Sequence, residues 1–218
     1  YSSLGPDGTL GPWASTTSLP GRYYDQSVVR VDDHVYLLTG AAGNTAVFYA
    51  RLASDGSLGT WRATTPLAPS RQNFAAASYG DYIYVSGGNS SGTRRFVEFA
   101  SVQSDGSLSA WADTTPLPAD VEGHTMVAYD GYLYVVAPDG SVYSALIGPD
   151  GSLGNWDSTT SLPTARSGYA TFECDGSLFV VGGDSSSVHY APILDSGSLG
   201  QWQEGRSLPE QRRGVWAG

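Results

Sequence analysis

Asp55-Gly56-Ser57-Leu58-Gly59-Thr60-Trp61 is the stretch whose reading decides the fold, because near copies of it punctuate the whole chain. One copy, Asp7-Gly8-Thr9-Leu10-Gly11-Pro12-Trp13, precedes it, and others end at Trp111, Trp156 and Trp202. The last is shifted and reads Ser196-Gly197-Ser198-Leu199-Gly200-Gln201-Trp202. After each Trp a second phrase recurs: Thr16-Thr17-Ser18-Leu19-Pro20, Thr64-Thr65-Pro66-Leu67, Thr114-Thr115-Pro116-Leu117-Pro118 and Thr159-Thr160-Ser161-Leu162-Pro163. A reduced form, Arg206-Ser207-Leu208-Pro209, closes the series. The tryptophans recur every 45 (Trp111 to Trp156) to 50 residues (Trp61 to Trp111), a period that signals stacked supersecondary units.

Each period holds four strand signals. In the second, 74–79 reads as a first strand, a turn at Gly80-Asp81 follows, and Tyr82-Ile83-Tyr84-Val85-Ser86 alternates as a strand should. After Gly87-Gly88 and a polar loop, 96–102 forms a third, and the Asp105-Gly106 turn leads to a fourth around Trp111. Asp-Gly suits tight hairpin turns because these need residues that tolerate positive φ. Two hairpins per period make a four-stranded meander, and at this period that is the blade of an all-β β-propeller.

The order Leu-Pro, Arg, a small-residue strand, Tyr-hydrophobic-Tyr, Gly-Gly, a third strand and a late Trp resembles the kelch repeat. Arg71, Gly87, Gly88 and Trp111 carry the resemblance in one repeat, and Arg166, Gly182, Gly183 and Trp202 in another. It covers almost the whole chain. The first repeat departs from it with Thr39-Gly40-Ala41, and the third with Val121 in place of Arg and Ala137-Pro138 in place of Gly-Gly. The resemblance implies a single propeller domain over 1–218, with complete repeats at about 14–61, 62–111, 112–156 and 157–202. The expected total is five blades of four-stranded antiparallel sheets. Tyr1–Leu4 aligns with the end of a third strand and Arg212–Trp216 with the start of a first, so 1–13 and 203–218 compose the closing blade. Nothing supplies that blade's second strand. Either it is three-stranded, or the chain is a piece of a longer array, or a neighbouring molecule donates the missing pairing, since an unpaired sheet edge invites strand addition.

Composition narrows the function classes. The 218 residues carry a net charge of −10 with no Lys, which argues against nucleic acid as a partner, because a basic patch is the usual footprint. No apolar run has the length of a membrane span, so no membrane insertion is expected. The single Cys174 excludes an intrachain disulfide framework and is expected in the core, at a position that is apolar in the other repeats. Asp7, Asp55, Asp105 and Asp150 read as turn residues, since each turn offers one carboxylate where a hard cation wants several converging oxygens. Arg22, Arg71, Arg166 and Arg212 read as anchors between blades rather than as an anion-gripping ring. His34, His124 and His189 fall at different repeat positions and suggest no metal site, and no cofactor is expected. Some kelch-like enzymes are copper oxidases with two His and a Tyr–Cys pair, an arrangement these residues do not reproduce. Glu122 and His124 form a weak acid–base signal in the loop that lost its Arg. No catalytic residues are assigned.

The meander also sorts the faces. First-to-second and third-to-fourth turns lie on one side and are uniformly Asp-rich. Second-to-third loops (41–45, 89–95, 138–141, 184–187) and blade-to-blade connections (22–26, 70–73, 119–124, 164–168, 210–213) lie on the other and differ from repeat to repeat. Differing loops on a rigid scaffold are where function concentrates. The expected ligand site is therefore the variable-loop face near the central channel, at Tyr23, Tyr24, Asp25, Gln72, Asn73, Glu122, His124, Tyr169 and Arg213. The expected function is a non-enzymatic binding or scaffold module that recognises carbohydrate or protein, in an extracellular or cell-surface, bacterial setting. The alternatives are a structural subunit that self-associates through its incomplete closing blade, and a glycoside-acting hydrolase or oxidoreductase.

Overall fold

The computed structural model describes residues 1–40, 43–89 and 94–214. Sixteen strands form four antiparallel sheets of four, each a simple meander, and no helix occurs among the described residues. Sheet one runs β1 (Ser27–Val31), β2 (His34–Leu38), β3 (Val47–Arg51), β4 (Arg62–Thr64); sheet two runs β5 (Ala75–Tyr79), β6 (Tyr82–Ser86), β7 (Val97–Ser101), β8 (Ala112–Asp113). Sheet three runs β9 (Thr125–Tyr129), β10 (Tyr132–Val136), β11 (Val142–Ile147), β12 (Leu153–Ser158). Sheet four runs β13 (Tyr169–Cys174), β14 (Ser177–Gly182), β15 (Val188–Pro192), β16 (Gln203–Glu204). The first strands adjoin in order, β1 beside β5, β5 beside β9 and β9 beside β13, so the sheets splay from a common inner side in a propeller-like arrangement.

Apolar residues on both faces of the middle strands explain this packing. Tyr36, Leu38 and Val47 of sheet one meet Ile83, Val85 and Leu108 of sheet two in one buried cluster, and equivalent clusters fill the next two interfaces. Each fully buried Leu or Ile contributes roughly 1.5–3 kcal/mol, so the core lies between sheets rather than within one.

The two repeated phrases turn out to be halves of one latch that joins neighbouring sheets. Thr114 Oγ1 accepts a hydrogen bond from the Leu153 N–H (2.7 Å), Thr115 Oγ1 donates to the Leu153 carbonyl (2.6 Å), and the Trp156 indole donates to the Thr115 carbonyl (2.9 Å). Thr64, Thr65, Leu108 and Trp111 repeat the pattern, as do Thr159, Thr160, Leu199 and Trp202. Thr16 and Thr17 bracket Leu58 in the same way, but the Trp61 indole N–H has no partner. A second set of links comes from the Tyr-x-Tyr strands. The Tyr36 and Tyr84 hydroxyls donate to the carbonyls of Gly106 and Gly151, in the turn of the following sheet (both 2.8 Å). Gly106 sits at φ 83°, and a Cβ there would lie 2.5 Å from His34 Nε2, so both the turn and the close approach require glycine.

The turn aspartates act locally. Asp55 Oδ1 accepts from the Ser57 N–H and hydroxyl (2.9 and 2.6 Å), and Asp7, Asp105 and Asp150 do the same with Thr9, Ser107 and Ser152. The hydroxyl bonds, then the backbone bonds, hold all four carboxyls below the usual aspartate value. In the shifted copy Ser196 takes the aspartate's place, with a longer bond to the Ser198 N–H (3.4 Å), and the Tyr134 hydroxyl facing this interface is unpartnered.

Two expectations are corrected. Cys174 is exposed, not packed: it is the last residue of β13, opposite Ser177 at the turn. Tyr79, at the same place on β5, is likewise exposed. The residue four places ahead of β1, matching Arg71 before β5 and Val121 before β9, is Tyr23 and not Arg22, because the three connections are equally long and Arg22 follows Leu19 by three residues where Arg71 follows Leu67 by four. At the termini, Leu4 bridges Leu10 as Ile193 bridges Leu199, so 1–13 forms the same hairpin as the third-to-fourth turns. The Gly183 N–H donates to the Arg212 carbonyl as that of Gly88 donates to Val121, so 212–214 starts like a first-strand approach. The expected continuation through Val215 and Trp216 lies outside the described residues, as do parts of the 41–45 and 89–95 loops.

Candidate functional site

The inner strands surround a cavity of about 630 Å³ that opens among the blade-to-blade connections. Each connection bends through a left-handed residue at the mouth: Asp25 (φ 51°), Asn73 (53°), Gly123 (67°), Gly168 (67°) and Gly214 (61°). Asp and Asn tolerate this conformation better than other residues with a Cβ. The bend turns the chain inward from the sheet's outer edge to its first strand. The Gly123 N–H donates to the Asn73 carbonyl (2.8 Å), tying neighbouring connections together at the rim.

Five of the nine sequence-derived candidates, Asp25, Asn73, Glu122, His124 and Tyr169, line this cavity. The first three are exposed at its mouth. Tyr169 is buried and its hydroxyl donates to the Val136 carbonyl (2.7 Å), so it forms wall rather than contact surface. The other four lie elsewhere. Tyr23 packs on Phe48 with ring centroids 5.8 Å apart, Tyr24 projects into solvent, and Gln72 uses its backbone to pair with Asn89. Arg213 is exposed and forms an ion pair with Asp184. The sequence reading missed the inward-facing strand residues Ser27, Val28, Thr125 and Thr171, of which the two threonine hydroxyls hydrogen-bond at 2.6 Å. Their signal was the composition of the first strands, which border the cavity mostly with small or hydroxyl residues, as at Ser27, Ala75, Ala76, Thr125, Ala170 and Thr171.

His124 lies beneath the mouth, 5% exposed, pressed toward Gly87, with Nε2 2.7 Å from the Ser86 hydroxyl. That hydroxyl in turn lies 3.4 Å from Met126 Sδ. Burial pushes the imidazole down to about 4, so it is neutral at physiological pH. The tautomer with the proton on Nε2 completes a chain from imidazole to hydroxyl to thioether and leaves Nδ1, which has no partner, as a bare acceptor. No hydrogen bond joins Glu122 to His124 among the described residues, so the two do not form a coupled acid–base pair. Among the described residues no three His, Cys, Asp or Glu side chains converge to hold a metal ion. The cavity therefore offers hydroxyls, an amide and two mouth carboxylates over small apolar walls. Such a surface can hydrogen-bond and desolvate a small polar molecule.

The fold defined by these sheets is all-β and propeller-like. The chain superposes on the structure of YjhT with a TM-score of 0.69 at 13% identity, over 91% of this chain and 69% of that one. No protein-family model matches the sequence, and no curated protein matches it.

Proposed function

We propose that the chain is a kelch-type, five-bladed β-propeller that binds a carbohydrate at the mouth of its central channel and performs no chemistry on it. The observation that carries this reading is the cavity of about 630 Å³, built from connections that differ in every repeat. The volume falls within the roughly 300–1,000 Å³ range of small-molecule sites. The Asn73 amide, the Asp25 and Glu122 carboxylates and the Thr125 and Thr171 hydroxyls match the donors and acceptors of a sugar. A concave, loop-rimmed pocket favours a small ligand over a flat protein surface. Support for the fifth blade comes from the hairpin at 1–13 and the first-strand approach at 212–214. A glycan array followed by calorimetry tests the reading. Asn73→Gly, which keeps the left-handed bend, and Glu122→Gln should each weaken a retained glycan about tenfold or more, whereas Tyr24→Ala should not. An array with no retained glycan, or an affinity indifferent to both substitutions, refutes it.

One observation favours a second reading, a subunit that self-associates through its closing blade. Leu10 and Trp13 of the N-terminal hairpin are 61% and 76% exposed, whereas the equivalent Leu108, Leu153 and Leu199 are 5%, 6% and 4% exposed beneath their latches. The last sheet carries Gly205-Arg206 where the others carry Thr-Thr, so the hairpin's apolar side has no latch of its own chain. Size-exclusion chromatography over a concentration range decides: a mass that rises with concentration supports the subunit, and a constant monomer refutes it.

A further inference from the structure

Ahead of each first strand stands a side chain that meets the third strand of its own sheet, at the residue paired with Leu37, Val85, Val135 or Val180. The chemistry of this slot changes from sheet to sheet. Sheet one fills it with Tyr23 on Phe48, and sheet three with Val121 and Tyr143 in one apolar cluster. Sheet two fills it with an ion pair, Arg71 with Glu98, the arginine 1% exposed. Sheet four places Arg166, 8% exposed, against His189, with Nη2 3.0 Å from the imidazole Nδ1. A guanidinium remains charged at any ordinary pH. A buried charge without a counterion costs several kcal/mol. Sheet two supplies that counterion. In sheet four, no carboxylate pairs with Arg166 among the described residues; an unpartnered Nε–H is common to both arginines, and the missing counterion is what sets Arg166 apart.

Beside Arg166 lies a cavity of about 790 Å³, adjoining the channel at Pro138 and Ser167. Arg166 commits one N–H to the Gly182 carbonyl (3.2 Å) and one to His189, which leaves three of its five donors. Ser185 donates its hydroxyl to Ser187 (2.9 Å) and accepts from the Ser187 N–H, so the Ser187 O–H is uncommitted where it borders the cavity. Asp184 is taken up by Arg213, and Glu204 is exposed at the edge. One buried cation, one free hydroxyl and a nearby carboxylate suit a single negative charge, and they disfavour a phosphate dianion, which Glu204 would repel.

We propose that this cavity is a binding site for the carboxylate of a small organic acid, which supplies to Arg166 the counterion that Glu98 supplies to Arg71. The site is separate from the proposed channel-mouth site, and neither depends on the other. Occupancy reaches His189 as well. Burial first, and then the adjacent Arg166 charge, holds its imidazole below the usual histidine value against the opposing pull of Glu204 across the strand pair, and a bound carboxylate offsets the Arg166 charge further.

The test is a titration of the folded protein with sodium acetate, followed through the His189 imidazole resonances, against sodium chloride and phosphate at matched ionic strength. Acetate should saturate the site and raise the pH at which His189 titrates, and phosphate should bind more weakly. Arg166→Gln should abolish saturation. His189→Glu, which rebuilds the Arg71–Glu98 pair in sheet four and removes the reporter imidazole, is titrated by calorimetry beside the parent, and should weaken acetate about tenfold or more while keeping the fold. A response to acetate no different from that to chloride, phosphate binding tighter than acetate, or unchanged acetate affinity in His189→Glu would each overturn the proposal.

Discussion

Replacing Thr114 and Thr115 together by valine tests whether the inter-sheet latch holds the fold. Valine keeps the branched shape and deletes both hydroxyls. The double variant strips the Leu153 N–H of its acceptor and the Leu153 carbonyl of its donor, at a residue 6% exposed. Each lost bond costs about 0.5–1.5 kcal/mol, and each buried group left unpaired brings the figure toward 1–3 kcal/mol. The pair should therefore destabilise by roughly 2–4 kcal/mol, and about 2–4 °C per kcal/mol in a chain of this size makes a Tm loss of some 4–16 °C. Thr16→Val with Thr17→Val is the internal control. There the hydroxyls are exposed, Leu58 is half-buried and the Trp61 indole is already unpaired, so water replaces the lost bonds at a cost below about 1 kcal/mol. Urea unfolding followed by tryptophan fluorescence reads both, with Trp156 reporting from within the latch. In a stacked array most of the cooperativity resides in the interfaces between units. Equal losses in the two double variants, or a loss under about 0.5 kcal/mol in the first, would refute a latch that carries stability.

Two further outcomes follow from buried ionisable groups. The His124 imidazole titrates near 4 in the folded chain and near 6.5 in the unfolded one, so its stabilising effect is complete above pH 6.5 and is lost as pH falls toward 4, by roughly 3 kcal/mol. His124→Phe, the residue that Phe74 supplies in sheet two, should flatten the stability–pH profile measured by denaturant midpoints between pH 4 and 6.5; an unchanged slope counts against the assignment. Glu98→Gln leaves the guanidinium of Arg71 buried without a counterion and should cost about 3–5 kcal/mol by the same unfolding assay. Glu98→Gln as stable as the parent would show that solvent reaches Arg71.

The sequence carried the repeat and the strands because both are local signals. Tyr82–Ser86 occupies the span its alternation predicts, and the Asp-Gly turns sit where the hairpins need them. The Thr-Thr and Leu-Gly-x-Trp phrases were visible as repeats, but their mutual bonding was not. Thr115 and Leu153 lie 38 residues apart, and the threonine hydroxyl meets a backbone carbonyl, which carries no sequence signature. Cys174 was misplaced because alternation reports which face a residue takes, not what covers that face. The same limit hid Thr125 and Thr171. An inward hydroxyl on a first strand reads like any other alternate position until the strands are set around a common opening.

Position in a repeat does not fix a residue's role; its partner does. Arg71 and Arg166 hold the same slot and look interchangeable in sequence, and both are buried ahead of a first strand. Arg71 is neutralised by Glu98 and is wholly a structural element. Arg166 faces a histidine whose own proton affinity falls in its presence, so the pair adds no negative charge, and a cavity opens beside it. A buried guanidinium persists at such a place only if some other interaction offsets its desolvation. Neighbouring sheets show that this scaffold fills the slot equally well with an aromatic pair, as at Tyr23 and Phe48. The charge at Arg166 is therefore not demanded by the fold, and the distinction rests on residue 189, where one substitution to glutamate converts the open arrangement into the closed one.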